Sequence, residues 1–352
     1  MKGVILAAGK GTRMLPLTER RPKPLVPVLD RPILEHIVVG ARDAGVDEIA
    51  LIIQHLGEAV IDHFGDGNRL GVRIEYIWQG EPRGTGHAAL MAEDFVAGEP
   101  FFMSWGDILV PPENYQAVVR AFQEDEPDAV LSLNYVEDPF EGAAVYEEDG
   151  YVTRIQEKPP KGTSTTTWNN AGVFVYRPEF FDRLRQLTPS VRGEIELPDA
   201  VQAMIREGRR IRAVKLEGYW SDVARPATVL ELNARMMEHR YRDQHGMFID
   251  PTAEVDDGCV VKPTIHIGAG CRLTNCRVGP NTVLMDGCRV EDNAQLRNVA
   301  VFTGATIGAG SVLTRCIVEE NAVVPEGTEL RGERARPMIV RPDGQAEQAV
   351  DR

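Results

Sequence analysis

The sequence runs to 352 residues with 39 Lys plus Arg against 53 Asp plus Glu, a formal charge of −14, and 43% of it is apolar. That apolar share excludes a disordered chain, the length suggests two domains, and the acidic balance argues against nucleic acid or an anionic membrane as the main partner. No apolar run nears the roughly 20 residues of a membrane span, and the first, Val4–Ala8, is too short for a signal peptide and ends in glycine, so a soluble cytoplasmic protein is expected.

Gly3–Ala8 reads as a first strand. A helix is predicted over Arg31–Ala44, with Ile33, Leu34, Ile37, Val38 and Ala41 on one face and Gly45 where a C-terminal glycine stops a helix. Strand patterns recur at Glu48–Ile53, Val72–Trp78, Pro100–Met103, Ala129–Tyr135, Val152–Gln156, Ala171–Tyr176 and Ile211–Leu216. Helical patterns lie near Thr85–Phe95, Tyr115–Glu124 and Ile195–Glu207. This alternation predicts a mostly parallel sheet covered on both faces, with ligands held beyond the carboxyl ends of the strands. Thr228–Gln244 reads as a connecting helix.

From Ile249 the period changes. Aliphatics stand at Ile249, Val255, Val261, Ile267, Leu273, Val278, Leu284, Val290, Leu296, Val301, Ile307, Leu313, Val318, Val324 and Leu330, in steps of six with three steps of five. Grouped in threes they make five coils of a β-helix solenoid. A second register of mostly small residues lies two positions before each aliphatic. All five cysteines (Cys259, Cys271, Cys276, Cys288 and Cys316) fall in it, so they are expected to be small core residues, neither ligands nor nucleophiles. The domains predicted are 1–227, a connecting helix over 228–247, the solenoid over 248–332, and a loose polar tail over 333–352.

The sharpest local signal follows the first strand: Gly9-Lys-Gly-Thr-Arg13, then Pro22-Lys-Pro24. Glycines there let several backbone N–H groups face one point, which with Lys and Arg suits phosphate oxygens. Residues 1–31 hold seven Lys or Arg against two carboxylates, a basic patch on an acidic chain. The spacing fits neither a Walker loop nor a dinucleotide fingerprint, whose third glycine position is Met14 here.

The whole string L-A-A-G-x-G-T-R-x-x-P-L-T-x-x-x-P-K-P-L resembles the signature of the sugar-1-phosphate nucleotidylyltransferases. The resemblance continues through Gln79–His87, Gly106-Asp107, Asp138–Gly142, Glu157-Lys-Pro159, Asn170-Ala-Gly172 and Trp220-Ser-Asp222. It covers nearly all of residues 1–245, and hexapeptide solenoids are a familiar second domain in that family. The fold it implies is an α/β domain with a Rossmann-like, mostly parallel sheet, followed by a left-handed parallel β-helix.

The chemistry it implies is attack by a sugar 1-phosphate oxygen on the α-phosphorus of a nucleoside triphosphate, with pyrophosphate leaving. Two polyanions must meet, so catalysis is mainly charge neutralisation and alignment. By resemblance, the amides of Gly9–Thr12, Gly11 among them, hold the β- and γ-phosphates with Arg13, Ala8 belongs to the same nucleotide site, and Lys23 reaches the α-phosphate. Gln79, Gly84 and Thr85 meet the nucleoside. Gly142, Glu157, Lys158 and Asn170 take the sugar phosphate, Lys158 through its charge. Arg13, Lys23 and Lys158 are the catalytic cations, and Asp107 with Asp222 are the carboxylates implied for Mg²⁺, whose hard oxygen ligands they match. His87 is expected to pack or hydrogen-bond, since an ionised phosphate needs no base. One departure is Val223-Ala224 after Asp222, where the family usually has x-Gly.

Gln79 suits the imino N–H and carbonyl of thymine or uracil, but also guanine. The L-A-A-G opening and the Gly-Thr-Gly-His-Ala string lean toward dTTP or UTP, and toward glucose 1-phosphate or a relative. Alternatives are a mannose-1-phosphate guanylyltransferase, a bifunctional acetyltransferase and a non-catalytic subunit. An acetyltransferase needs a base in the coils, where His266 alone is available. A subunit of the last kind typically loses the charged residues retained here. Exposed solenoid faces are expected to pack against copies of themselves as a homo-oligomer.

Overall fold

The structure, a computed structural model, describes residues 1–350 apart from Pro82, Val191 and Arg192, so Pro82 of the Gln79–His87 string and the last two tail residues lie outside it. The chain divides into two compact units. The first holds Met1–Lys10 and Leu34–Trp220, the second Gly11–Ile33 and everything from Ser221 onward.

The first unit is built on a nine-stranded sheet. Lys2–Leu6 runs parallel between Glu48–Ile53 and Phe101–Trp105, and Arg73–Trp78 lies parallel beyond Glu48–Ile53. The three inner strands are buried because their side chains are apolar on both faces: Val4, Ile5, Ile49 to Ile53 and Phe101 to Met103 have no exposure, whereas the edge strand Arg73–Trp78 buries only Ile74. The other half is antiparallel in large part, which makes the sheet mixed. Trp168–Tyr176 runs against Phe101–Trp105 and Ala129–Tyr135, and Ala143–Glu148 against Tyr151–Glu157. Ile211–Lys215 pairs parallel with Ala129–Tyr135. The helix Ile33–Asp43 buries Leu34, Ile37, Val38 and Ala41, the face its spacing predicts.

Three further elements are too short to be read from sequence. They are the helices Gly57–Phe64 and Phe180–Gln186 and the strand Ala143–Glu148, whose first three residues are all buried. The single helix expected over Thr85–Phe95 is two, Thr85–Leu90 and Glu93–Val96.

In the second unit the predicted coils stack in register. Val255, Leu273, Val290, Ile307 and Val324 pair in parallel along one face, and Val261, Val278, Leu296, Leu313 and Leu330 along another. The third ladder runs through Ile249, Ile267, Leu284, Val301 and Val318 to Val340. Cys271, Cys276, Cys288 and Cys316 are buried between them, and none of the five cysteines forms a disulfide. The tail expected to be loose supplies that last rung: Met338–Val340 pairs with Cys316–Val318 and then with Ala346–Gln348.

One face is covered from outside. Its outward residues His266, Val283, Ala300, Ile317 and Ile339 are all buried, whereas Arg272, Arg277, Arg289 and Gln295 on the other faces stay exposed. The connecting helix Pro226–Arg240 lies over this face. His266, Phe248 and Tyr241 pack as a trio of nearly parallel rings with centres 5.0 to 6.0 Å apart, and the His266 Nδ1 is 2.8 Å from the Tyr241 hydroxyl. Burial pushes its pKa from 6.5 down to about 4, against an opposing pull from Asp30. A lowered pKa favours the neutral ring, so the stability it contributes is present above pH 6.5 and lost as pH falls toward 4. The melting temperature should drop across that window, and part of the drop should vanish in His266→Phe, which stacks but does not titrate.

Candidate active site

Residues leaving the carboxyl ends of adjacent parallel strands meet along one edge. Leu6, Trp78 and Trp105 close three of the parallel strands of the first unit, so Ala8 with Gly9, Gln79, and Gly106 with Asp107 all emerge there. The Gly106 N–H donates to the Leu6 carbonyl at 2.9 Å, and a Cβ on Gly106 would lie 2.8 Å from that oxygen. Only glycine lets the Asp107 turn pass so close to the first strand. The antiparallel strand Trp168–Tyr176 enters from the same edge. Its Val173 lies opposite Ser104, and beyond an irregularity in the ladder Asn170 pairs with Leu133 and Asn169 with Asn134 and Ala144.

Gly142, Glu157 and Lys158 join this edge through the antiparallel pair. Glu157 pairs with Ala143, and the Lys158 N–H donates to the Gly142 carbonyl at 2.7 Å. Lys158 has φ +40°, a conformation that L residues adopt at some cost; its side chain is exposed. Asn169 organises the group: its Oδ1 accepts the Ala143 N–H at 3.1 Å, and its Nδ2 donates to Asn134 Oδ1 and the Asn170 carbonyl, both at 2.9 Å. Asn170 Oδ1 accepts the Gly172 N–H at 3.3 Å. Sequence reasoning selected Asn170 and passed over Asn169; two adjacent asparagines in an otherwise apolar strand were the available signal. Trp220 closes the unit, its Nε1 donating to the Ala171 carbonyl at 2.9 Å.

Gln79 is 7% exposed, and its Nε2 is 3.4 Å from the Gly84 carbonyl. Gly84 has φ +96°, and a Cβ there would sit 2.6 Å from the Ile195 carbonyl, so no other residue fits. Thr85 Oγ1 takes the Leu197 N–H at 3.4 Å. His87 packs as expected, though its buried Nδ1 has no hydrogen-bond partner among the described residues.

In the second unit Gly11 is left-handed, φ +64°, and a Cβ on it would lie 2.8 Å from the Lys23 Cβ. The Thr18 hydroxyl donates to the Gly11 carbonyl at 2.9 Å and closes the loop carrying Thr12 and Arg13. Lys23 is 7% exposed, with its Nζ 3.5 Å from Asp222 Oδ1. Val223 and Ala224 behind Asp222 are buried, and the Ala224 N–H turns back to the Asp222 carbonyl at 2.8 Å.

Within the units, the expected residues thus fall into two groups. Ala8, Gly9, Gln79, Gly84, Thr85, Asp107, Gly142, Glu157, Lys158 and Asn170 belong to the first, Gly11, Thr12, Arg13, Lys23 and Asp222 to the second. Lys10, Arg13 and Lys158 are exposed and form no ion pair among the described residues. A groove of about 620 Å³ in the first unit lies at the opposite end of the strands, among Met1, Lys2, Glu48 and Pro100, and holds none of the expected residues.

Comparison with known proteins gives the family. Residues 2–239 match the nucleotidyl transferase family model, and residues 269–336 match the GlmU-like C-terminal hexapeptide model. The chain is 34% identical to a glucose-1-phosphate thymidylyltransferase of Streptomyces griseus, over 87% of this chain and 88% of that protein. It is 38% identical to the low-salt glycan biosynthesis nucleotidyltransferase Agl11 of Haloferax volcanii, over 71% and 70%. A bifunctional protein GlmU of Methanococcus aeolicus is 33% identical over 87% and 74%. A solved structure of a candidate glucose-1-phosphate thymidylyltransferase of Bacillus anthracis, with sucrose, superposes at TM-score 0.61 and 28% identity, over 66% of this chain and 94% of that one. The chain therefore belongs to the nucleotidyl transferase family, as a sugar-1-phosphate nucleotidyltransferase with a GlmU-like hexapeptide region.

Proposed function

We propose that the chain transfers a nucleotidyl group from dTTP or UTP to glucose 1-phosphate or a close relative, releasing pyrophosphate. The observation carrying this reading is the gathering of Gln79, Asp107, Gly142, Glu157, Lys158 and Asn170 at one sheet edge, with Lys158 left without a carboxylate partner among the described residues. Such a cation on a chain of charge −14 suits an anionic ligand.

In this reading Lys158 binds the sugar phosphate, Glu157 and Asn170 the sugar hydroxyls, and Gln79 the base beside Gly84 and Thr85. The amides of Gly9 to Thr12, with Arg13, hold the β- and γ-phosphates, and Lys23 meets charge developing at the α-phosphate. Members of this family generally use a divalent metal. Among the described residues no group of three or more His, Cys, Asp or Glu encloses an ion. A donor set of Asp107 and Asp222, completed by phosphate oxygens and water, fits Mg²⁺, which keeps several waters and few protein ligands. Bound there, Mg²⁺ would supply charge neutralisation at the α-phosphate. No helix among the described residues is long and apolar enough to cross a membrane. A cytoplasmic homo-oligomer joined through the two exposed solenoid faces completes the proposal.

A relative is named a bifunctional protein, and acetyl transfer at the solenoid is the second activity weighed against this reading. The burial of His266 against Tyr241 favours the single-activity reading, because a buried neutral ring already tied to a phenol is poorly placed as a base.

The test is a matrix of UTP, dTTP, GTP, ATP and CTP against several sugar 1-phosphates with Mg²⁺, reading pyrophosphate. Fastest release with dTTP or UTP and glucose 1-phosphate is expected. Preference for GTP with mannose 1-phosphate would replace the substrate assignment, and no release with any pair would remove the reading. Gly142→Ala probes the sugar side. Its φ of −118° suits any residue, so the effect is steric: the new methyl collides with Asn169 Oδ1, which holds the Ala143 N–H. The KM for sugar 1-phosphate should rise about tenfold, as for loss of one buried hydrogen bond, with the KM for the triphosphate unchanged.

A further inference from the structure

The segment 11–33 carries Arg13 and Lys23, yet it packs with the solenoid and connecting helix. Arg21 lies between the two cations in sequence, and its guanidinium is held by the solenoid. Both Nη atoms reach the Glu320 carboxylate, and Nη2 is also 3.1 Å from Glu319 Oε2. The guanidinium carbon stands 5.6 Å from the ring centre of Phe302, one rung earlier. Glu319 is 6% exposed while the Arg21 and Glu320 side chains keep 18% and 29%, so this is a partly buried pairing, and the Arg21 Nε is buried without a hydrogen-bond partner among the described residues. A surface ion pair on flexible stems would transmit little; a forked and stacked one, with a second, buried carboxylate beside it, holds its backbone in place.

We propose that Glu319, Glu320 and Phe302 form a clamp on this segment, and that Arg21 is a positioning residue through which the solenoid sets Lys23 and Arg13. The inference rests on the nucleotidyl-transfer reading for its catalytic consequence. The link from Arg21 to Lys23 is short and stiff. Pro22 fixes its own φ at −68°, Lys23–Leu25 forms a 3₁₀ turn, and the Leu25 N–H returns to the Pro22 carbonyl at 2.9 Å. On the other side, the Thr18 bond to Gly11 ties the Arg13 loop to the residues leading into Arg21. Further ties hold the ends of the segment: Glu19 to Arg341 at 3.0 Å, the Leu29 N–H to Asn233 Oδ1 at 2.7 Å, and Asp30 to Arg240 at 2.7 Å. Arg21 is the tie adjoining the Pro22-Lys23 turn. The solenoid is then part of the catalytic apparatus, and its role is to hold a phosphate-binding segment rigid.

The experiment uses the full-length protein with Glu320→Gln, Glu319→Gln, Arg21→Gln and Arg21→Lys. Glu254→Gln, in an exposed solenoid pair with Arg272 at 3.2 Å, serves as control. Two readouts are taken: kcat and KM for pyrophosphate release, and amide hydrogen exchange over residues 11–25. Glu320→Gln and Arg21→Gln should lower kcat tenfold or more, about what a small misplacement of a catalytic cation costs. The KM for sugar 1-phosphate and the control should stay unchanged. Exchange over 11–25 should quicken, and Arg21→Lys should recover part of both effects. Should Arg21→Gln fail to fold, Glu320→Gln decides. A folded Glu320→Gln with unchanged kcat, or with unchanged exchange over 11–25, overturns the clamp. If wild-type protein releases no pyrophosphate, the functional reading has failed, and exchange alone decides whether the clamp exists.

Discussion

Asp107→Asn is expected to abolish pyrophosphate release while leaving the melting temperature within a degree or two of wild type. The substitution keeps the size and polarity of the side chain, and Asp107 sits in a turn after the strand Phe101–Trp105, with its backbone course set by Gly106 against Leu6. Folding therefore loses little. Catalysis loses one of two anionic oxygen donors in the proposed metal site, and charge stabilisation by a metal contributes several kcal/mol to such a transition state, about a thousandfold in rate or more. The measurement is steady-state pyrophosphate release at several Mg²⁺ concentrations, alongside thermal melting. Partial recovery at high Mg²⁺ would fit a weakened ligand set. Unchanged turnover in a folded variant would remove Asp107 from the chemistry.

The solenoid could be read almost rung by rung, because a six-residue repeat of aliphatics encodes the register itself. Val255, Leu273, Val290, Ile307 and Val324 stand where their spacing puts them. The strands Glu48–Ile53 and Ala129–Tyr135 were equally clear, since continuous apolar runs bounded by polar residues leave little choice of ends. Trp168–Tyr176 begins three residues earlier than its pattern suggested. Its first residues include Asn169 and Asn170, whose amides serve the site, and polar residues in a strand hide it from a hydrophobicity reading. The packing of residues 11–33 with the C-terminal half could not be seen at all. It depends on pairs such as Arg21 with Glu320, which lie 299 positions apart and carry no local signature. The ordering of the tail has the same origin: Arg341 joins both Glu347 and Glu19, and neither partner is implied by composition.

Lys23→Met should lower kcat about 100- to 1000-fold, the usual loss when one group stabilising transition-state charge is removed. The loss belongs to the reaction more than to the fold. Asp222, the partner of Lys23 at 3.5 Å, keeps 38% of its side-chain surface exposed, so water can solvate it once the ammonium is gone. Removing the ammonium also removes a charge that is itself costly to bury, which offsets the lost attraction. Methionine also preserves the apolar stem packed against Gly11, where a Cβ would already be 2.8 Å from that of Lys23. That crowding makes Lys23→Arg an informative companion. It keeps the charge, but a planar, longer head group reaching past Gly11 should place it differently, so the arginine variant should recover less than a tenth of wild-type kcat. If Lys23 meets charge that develops only as pyrophosphate departs, the KM for sugar 1-phosphate stays near wild type in both variants while kcat falls. A rise in KM for the triphosphate with kcat unchanged would instead make Lys23 a ground-state phosphate ligand.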